Sequence, residues 1–194
     1  MSKKLILLTL FIAMIPIGCG GSDEKSETQA DVFVSVGPLA WLAERIAGEH
    51  LDVGTILAPG QDPHTFAPSA KQILALSRGK IFFTVKLPLE TTVAHKISSS
   101  SKTLKIVDLT AEMDLIKDEH DHDHDHGNCT ASVIDPHIWT SPRLSKELAR
   151  KMCEEFCLIK PECKDIFQAN LAALVADLDK LDEKLSAILA PYKG

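Results

Sequence analysis

The sequence predicts an α/β fold: a four-stranded, mainly parallel sheet flanked by helices and followed by a long C-terminal helix. Short apolar, β-branched runs recur four times between residues 32 and 107, and stretches of helical length separate them. From Ser141 onward the pattern is helical throughout. Strands joined by helical crossovers must run parallel, and ligands of such sheets bind beyond the carboxyl ends of the strands.

Taken in order, Val32–Val36 is a strand ended by Gly37-Pro38, and Leu39–Ala47 is a helix closed by Gly48. A second strand, Leu51–Leu57, runs into Pro59-Gly60. Ala70–Arg78 is a helix closed by Gly79, and Lys80–Val85 is a third strand. Residues 89–98 read as a helix and Leu104–Val107 as a fourth strand, whereas residues 112–134 have no period. Ser141 can cap a helix with Pro142 at its first position, followed by Arg143–Leu158. Pro161 restarts a helix that runs to Ala190. Its seam of Phe167, Leu171, Leu174, Leu178, Leu181, Leu185 and Ile188 alternates four- and three-residue steps, which suits a bundle helix or a strut. At roughly 29 residues it would be about 43 Å long, more than one small domain needs.

The 194 residues open with Lys3-Lys4 and an uncharged apolar run from Leu5 to Ile17, too short to span a bilayer but right for a signal peptide over residues 1–18. Gly18-Cys19 then resembles a bacterial lipoprotein processing site, although Pro16 is unusual in that box. Cleavage there would leave a lipid anchor on Cys19 and a polar tether over residues 19–30; a plain secretory signal is the alternative. Either way the folded part is expected outside the cytoplasm, periplasmic or at the cell surface. Losing residues 1–18 removes two lysines and no acid, which takes the formal charge from −6 to −8. An acidic body without a basic cluster argues against nucleic acid as a partner.

Four cysteines remain: Cys129, Cys153, Cys157 and Cys163. Cys153 and Cys157 share a helical face, and buried thiols are the default reading, with one bridge through Cys163 as the alternative.

The chemistry concentrates in two echoing stretches, Gly60-Gln-Asp-Pro-His-Thr-Phe66 and Asp135-Pro-His-Ile-Trp139. Asp-Pro disfavours helical geometry before the proline, so His64 and His137 each sit on a short stiff loop ahead of a helix. Rigidly held imidazoles suit shared metal ligation, and Asp62 and Asp135 stand where they can orient the rings. Between the two lies the acidic tract 119–127, with His120, His122, His124 and His126. It has no apolar anchor to fold around, which suits loose gathering or sensing of an ion rather than a preformed chelate. His50 reads as a surface loop residue, His95 as solvent-facing, and Trp41 and Trp139 as packing residues, with Trp139 also able to wall a metal pocket.

The pattern G-x-D-P-H-T-F-x-P-S, then a His-rich loop, then D-P-H-I-W-x-S-P resembles the zinc/manganese solute-binding proteins of bacterial ABC transporters. Phe167-Gln-Ala-Asn-Leu171 leading into Leu178-Asp-Lys-Leu-Asp182 is similar to the start of their long interlobe helix. The resemblance implies two β/α lobes joined by that helix with a metal between them. The first-lobe ligands fall on His64 and His137. Residues 31–158 would be the N-terminal lobe and 161–190 the interlobe helix. The second-lobe ligands have no counterpart before Gly194, so the expectation is half a receptor, its second lobe absent or separately encoded. The implied partners are a membrane permease and, through Cys19, the membrane itself. The His-rich loop implies Zn²⁺ ahead of Mn²⁺, in line with the preference of zinc for imidazole. Lys86 stands where the family usually has Gly, so the resemblance leaves the shape of that loop open. Competing readings are an extracytoplasmic zinc buffer and a zinc hydrolase; the second lacks an H-E-x-x-H motif.

Overall fold

A computed structural model describes residues 29–62, 65–98, 101, 103–113, 115 and 135–192. The four strands are β1 (Val32–Val34), β2 (Val53–Thr55), β3 (Ile81–Thr84) and β4 (Lys105–Asp108), all parallel, in the order β2-β1-β3-β4. The helices are α1 (Gly37–Ala47), α2 (Ala70–Ser77), α3 (Pro88–Ser98), α4 (Pro142–Ile159) and α5 (Lys164–Leu189). This is the expected fold class, with shorter strands than the apolar runs suggested. The first two runs overshoot because Ser35, Ile56 and Leu57 leave the ladder while keeping pleated bonds: Ile56 N–H donates to Val34 O at 2.9 Å and Leu57 N–H to Ser35 O at 3.1 Å.

The central strands β1 and β3 are buried on both faces, which is why they read as continuous apolar runs rather than alternating ones. Phe33 of β1 packs its ring against Gly54 of β2 and Gly79 just before β3. A Cβ at Gly54 or Gly79 would come within 2.8 Å of its ring, so the small residues are required by this close approach. On α4, Leu148, Met152 and Phe156 are fully buried. Phe156 meets Phe83 of β3 at 5.8 Å and Phe167 of α5 at 5.7 Å between ring centroids, joining sheet, α4 and α5 in one core.

The α5 seam divides in two. Phe167, Leu174 and Leu178 are buried, whereas Leu181, Leu185 and Ile188 are exposed. Pro161 begins with one 3₁₀ turn (Pro161–Cys163) before the α-helix, because the proline ring and missing N–H fit a first turn. Trp41 corrects the packing expectation. It is 46% exposed on α1, with the Arg45 guanidinium 5.3 Å above its ring. Arg45 in turn bonds Asp177 of α5 at 2.8 Å. His50 is half-buried rather than a free surface residue, edge-on to Phe167 at 6.3 Å. Cys153, Cys157 and Cys163 are free thiols. Burial, with Cys157 beside it, pushes the Cys153 thiol up to about 12, so it is chemically quiet.

Candidate metal centre

The crossover connections put the starts of α1, α2 and α3 at the carboxyl edge of the sheet. The orientation of α4 follows from its far end. Glu155 bonds Lys105 at the first residue of β4 at 2.6 Å, and Lys160 Nζ donates to His50 O, just past the end of α1, at 2.7 Å. The C-terminal end of α4 therefore lies at the amino edge of the sheet. Its N-terminal end, with the preceding residues 135–141, lies at the carboxyl edge.

His137 is held there by local bonds. The carboxylate oxygen Oδ1 of Asp135 accepts from His137 N at 2.9 Å and lies 2.7 Å from His137 Nδ1. One oxygen thus fixes both the backbone and the ring, and leaves Nε2 as the ring nitrogen that Asp135 does not engage. The backbone N–H of His137, then its ring, holds the Asp135 carboxyl below the usual carboxylate range. On the other side Trp139 meets the imidazole edge-on at 5.4 Å. Ile138 is buried in the core, and the buried Ser145 hydroxyl donates to Trp139 O at 3.0 Å, which pins the loop from below. Ser141 caps α4 through Leu144 N–H, with Pro142 at the first helical position.

The first loop leaves the carboxyl end of β2. Gln61 Oε1 accepts from Ala58 N–H at 2.9 Å, and Gly60 takes the left-handed φ of 84° that its turn needs. Thr65 Oγ1 donates to Asp62 Oδ2 at 3.3 Å. Ser69 and Gln72 form a capping box at the start of α2. Gln72 Nε2 also donates to Ile56 O at 2.9 Å, tying the helix start back to the strand exit. His64 lies outside the described residues, as do Cys19, Cys129, His120, His122, His124 and His126. What is described is the frame on either side of His64, and it starts from the same edge that carries His137. Among the described residues no group of three or more His, Cys, Asp or Glu is gathered to hold an ion.

Sequence reasoning passed over one further constellation on this edge. Strand order reverses between β1 and β3, and Ser35, Lys86 and Glu90 stand at that point. Glu90 is 2% exposed, and its Oε2 accepts from Val85 N–H at 2.8 Å and Leu87 N–H at 2.9 Å. Desolvation lifts the Glu90 carboxyl to about 7, against the lowering effect of the Ser35 hydroxyl and the two amides. Ser35 lies beside the carboxyl, yet Ser35 Oγ and Glu90 Oε1 are both buried without a hydrogen bond of standard geometry. The available signal was a single acid that, apart from Lys86, ends an apolar run, Val85-Lys-Leu-Pro-Leu-Glu90.

The family model described as the periplasmic zinc-uptake complex component A, ZnuA, matches residues 32–194. The chain belongs to that family. A putative metal-binding protein of Chlamydia trachomatis serovar D is 31% identical to this ZnuA-family chain over 186 residues, covering 95% of the chain and 62% of the relative. The manganese ABC transporter substrate-binding lipoprotein PsaA of Streptococcus pneumoniae is 26% identical over 191 residues, covering 95% of the chain and 60% of PsaA. A crystal structure of a zinc-bound ZnuA deletion mutant superposes with a TM-score of 0.74 at 29% identity, covering 84% of the chain and 59% of that protein. The ZnuA-family chain thus spans about three fifths of the length of these relatives.

Proposed function

We propose that this chain is the zinc-binding part of an extracytoplasmic receptor that delivers its ion to an ABC permease. The observation that carries the reading is His137, held on the carboxyl edge with Asp135 Oδ1 2.7 Å from its ring Nδ1. A carboxylate behind an imidazole fixes the tautomer and raises the basicity of the outward nitrogen, the usual arrangement of a metal-ligating histidine. Asp135 is the positioning acid and His137 one ligand. His64, on the loop from β2, is the second, with Asp62 as its counterpart acid. The remaining ligands come from a second lobe, on this polypeptide or another. Zn²⁺ is preferred over Mn²⁺ because the ligands named here are imidazoles.

In this reading residues 31–158 form the N-terminal lobe and residues 161–190 the interlobe helix, whose exposed Leu181, Leu185 and Ile188 continue toward the other lobe. Cys19 carries the lipid anchor, and the tract with His120, His122, His124 and His126 gathers zinc beside the site. In this reading the chain acts as a receptor, in which imidazoles with their orienting acids supply binding.

Zinc titration calorimetry on the chain and on a His64→Ala/His137→Ala variant tests the assignment. The variant should bind zinc roughly ten-fold or more weakly; unchanged affinity overturns it. Deleting residues 119–126 should lower the number of zinc equivalents and spare the tightest site. Loss of that site instead would favour a buffer in which the tract does the binding.

A further inference from the structure

The turn between β3 and α3 stands at the reversal of strand order, and Lys86 within it has φ 67°, a left-handed backbone that favours glycine. The N–H groups on both sides of this residue, from Val85 and Leu87, converge on one oxygen of Glu90. Leu87 O in turn accepts from Glu90 N–H at 3.0 Å, so the first turn of α3 closes on the loop that precedes it. From this backbone the Lys86 ammonium reaches Asp108 Oδ2 at 3.7 Å. The other Asp108 oxygen already accepts from Thr110 N–H at 2.8 Å and Thr110 Oγ1 at 2.6 Å. Together Thr84, Lys86, Glu90, Thr91, His95 and Asp108 line an open groove of about 500 Å³ beside the carboxyl ends of β3 and β4.

We propose that Glu90 is a positioning residue for cation uptake: by holding both N–H groups that flank Lys86, it fixes the left-handed turn and places the Lys86 ammonium over Asp108. The proposal rests on the zinc-receptor reading. The physical consequence is twofold. An ammonium on the rim repels an approaching divalent ion, by an amount that salt screens over about 8–10 Å. It also occupies the Asp108 carboxylate, removing an oxygen donor from the edge and disfavouring ions that prefer oxygen over imidazole. Lysine in a seat suited to glycine is then a specificity element, and the buried carboxyl clamps the turn that holds it.

The test is titration of the full chain with Zn²⁺ and with Mn²⁺ at low and at physiological salt. Lys86→Met should tighten zinc by roughly two- to five-fold at low salt, with the gain shrinking as salt rises. The Mn²⁺ gain should be larger, because Asp108 is released. Glu90→Ala should shift both affinities in the same direction, and adding Lys86→Met to it should change little more. Glu90→Gln, whose amide oxygen can take the two N–H bonds, should restore the original affinities. A purely structural Glu90 would lower Tm in Glu90→Ala and leave both affinities alone, which overturns the proposal. Should Glu90→Ala not fold, Lys86→Met decides: unchanged zinc and manganese affinities at low salt overturn it equally. A chain that binds no zinc overturns this and the receptor reading together. Binding that survives in His64→Ala/His137→Ala yet responds to Lys86→Met overturns only the ligand assignment.

Discussion

Asp135 and Glu90 make nearly the same bonds and end with opposite acidities. Each uses one carboxylate oxygen to gather two N–H groups, Asp135 from the backbone and ring of His137, Glu90 from the amides beside Lys86. Asp135 stands in solvent, so its hydrogen bonds dominate and its pKa falls. Glu90 is enclosed, so the cost of burying charge exceeds what two amides and a hydroxyl return, and its pKa rises to about 7. The exposed acid is suited to orienting an imidazole. The buried one is suited to fixing a backbone. Hydrogen-bond count alone does not assign the role of a carboxylate; its hydration decides.

The comparison is broken most forcefully at Glu90. Glu90→Ala should lose about 3 kcal/mol at pH 5, from the cavity and the two orphaned amides. The loss should shrink at pH 8, where the parent chain carries the cost of ionising a buried acid. Chemical denaturation at the two pH values measures both, and equal losses would contradict the raised pKa.

A second experiment follows the pH dependence itself. Below about pH 4.5 Glu90 is protonated in both folded and unfolded chains. Between about 4.5 and 7 the unfolded chain releases the proton and the folded chain keeps it. Stability from this group is therefore full at low pH and falls as pH rises, by on the order of 3 kcal/mol once pH exceeds the folded value. Denaturation curves of Glu90→Gln should lack this fall.

Asp135→Asn sharpens the other side. Zinc affinity should drop roughly ten-fold in calorimetry, while stability changes by less than about 0.5 kcal/mol, since the acid is exposed. Smallest of all, Lys86→Gly should be more stable than Lys86→Ala by about 1 kcal/mol, because only the alanine keeps the left-handed strain. Equal stabilities would mean that the turn relaxes on substitution.

The fold was legible because its signals are local and periodic. Val32–Val34 and Ile81–Thr84 are apolar runs bounded by Gly and Pro, and Ser69 and Ser141 announce the helices they cap. Strand ends were overestimated because Ile56 and Leu57 stay apolar after leaving the ladder, and burial rather than pairing explains them. Asp135 was legible as a partner of His137 because Asp-Pro-His confines the two side chains to one tight loop. Glu90 was not legible as a clamp, since an acid in the first turn of a helix reads as a favourable dipole contact. Only enclosure by the neighbouring strands and α3 makes it a buried, near-neutral carboxyl. Trp41 misled in the opposite sense: its size suggested burial, but it lies on the outward face of α1 under Arg45.

The sequence by itself determined the α/β class, the parallel crossovers, the resemblance to metal receptors and the stiff loop that turns Asp135 toward His137. These depend on periodicity, capping and proline geometry, which act over a few residues. Tertiary structure decided that residues 135–141 stand at the carboxyl edge, that Lys86 is held left-handed over Asp108, and that the α5 seam is buried only through Leu178. These depend on which distant segments share a neighbourhood. Desolvation and packing are set by that neighbourhood, and no short stretch of sequence records it.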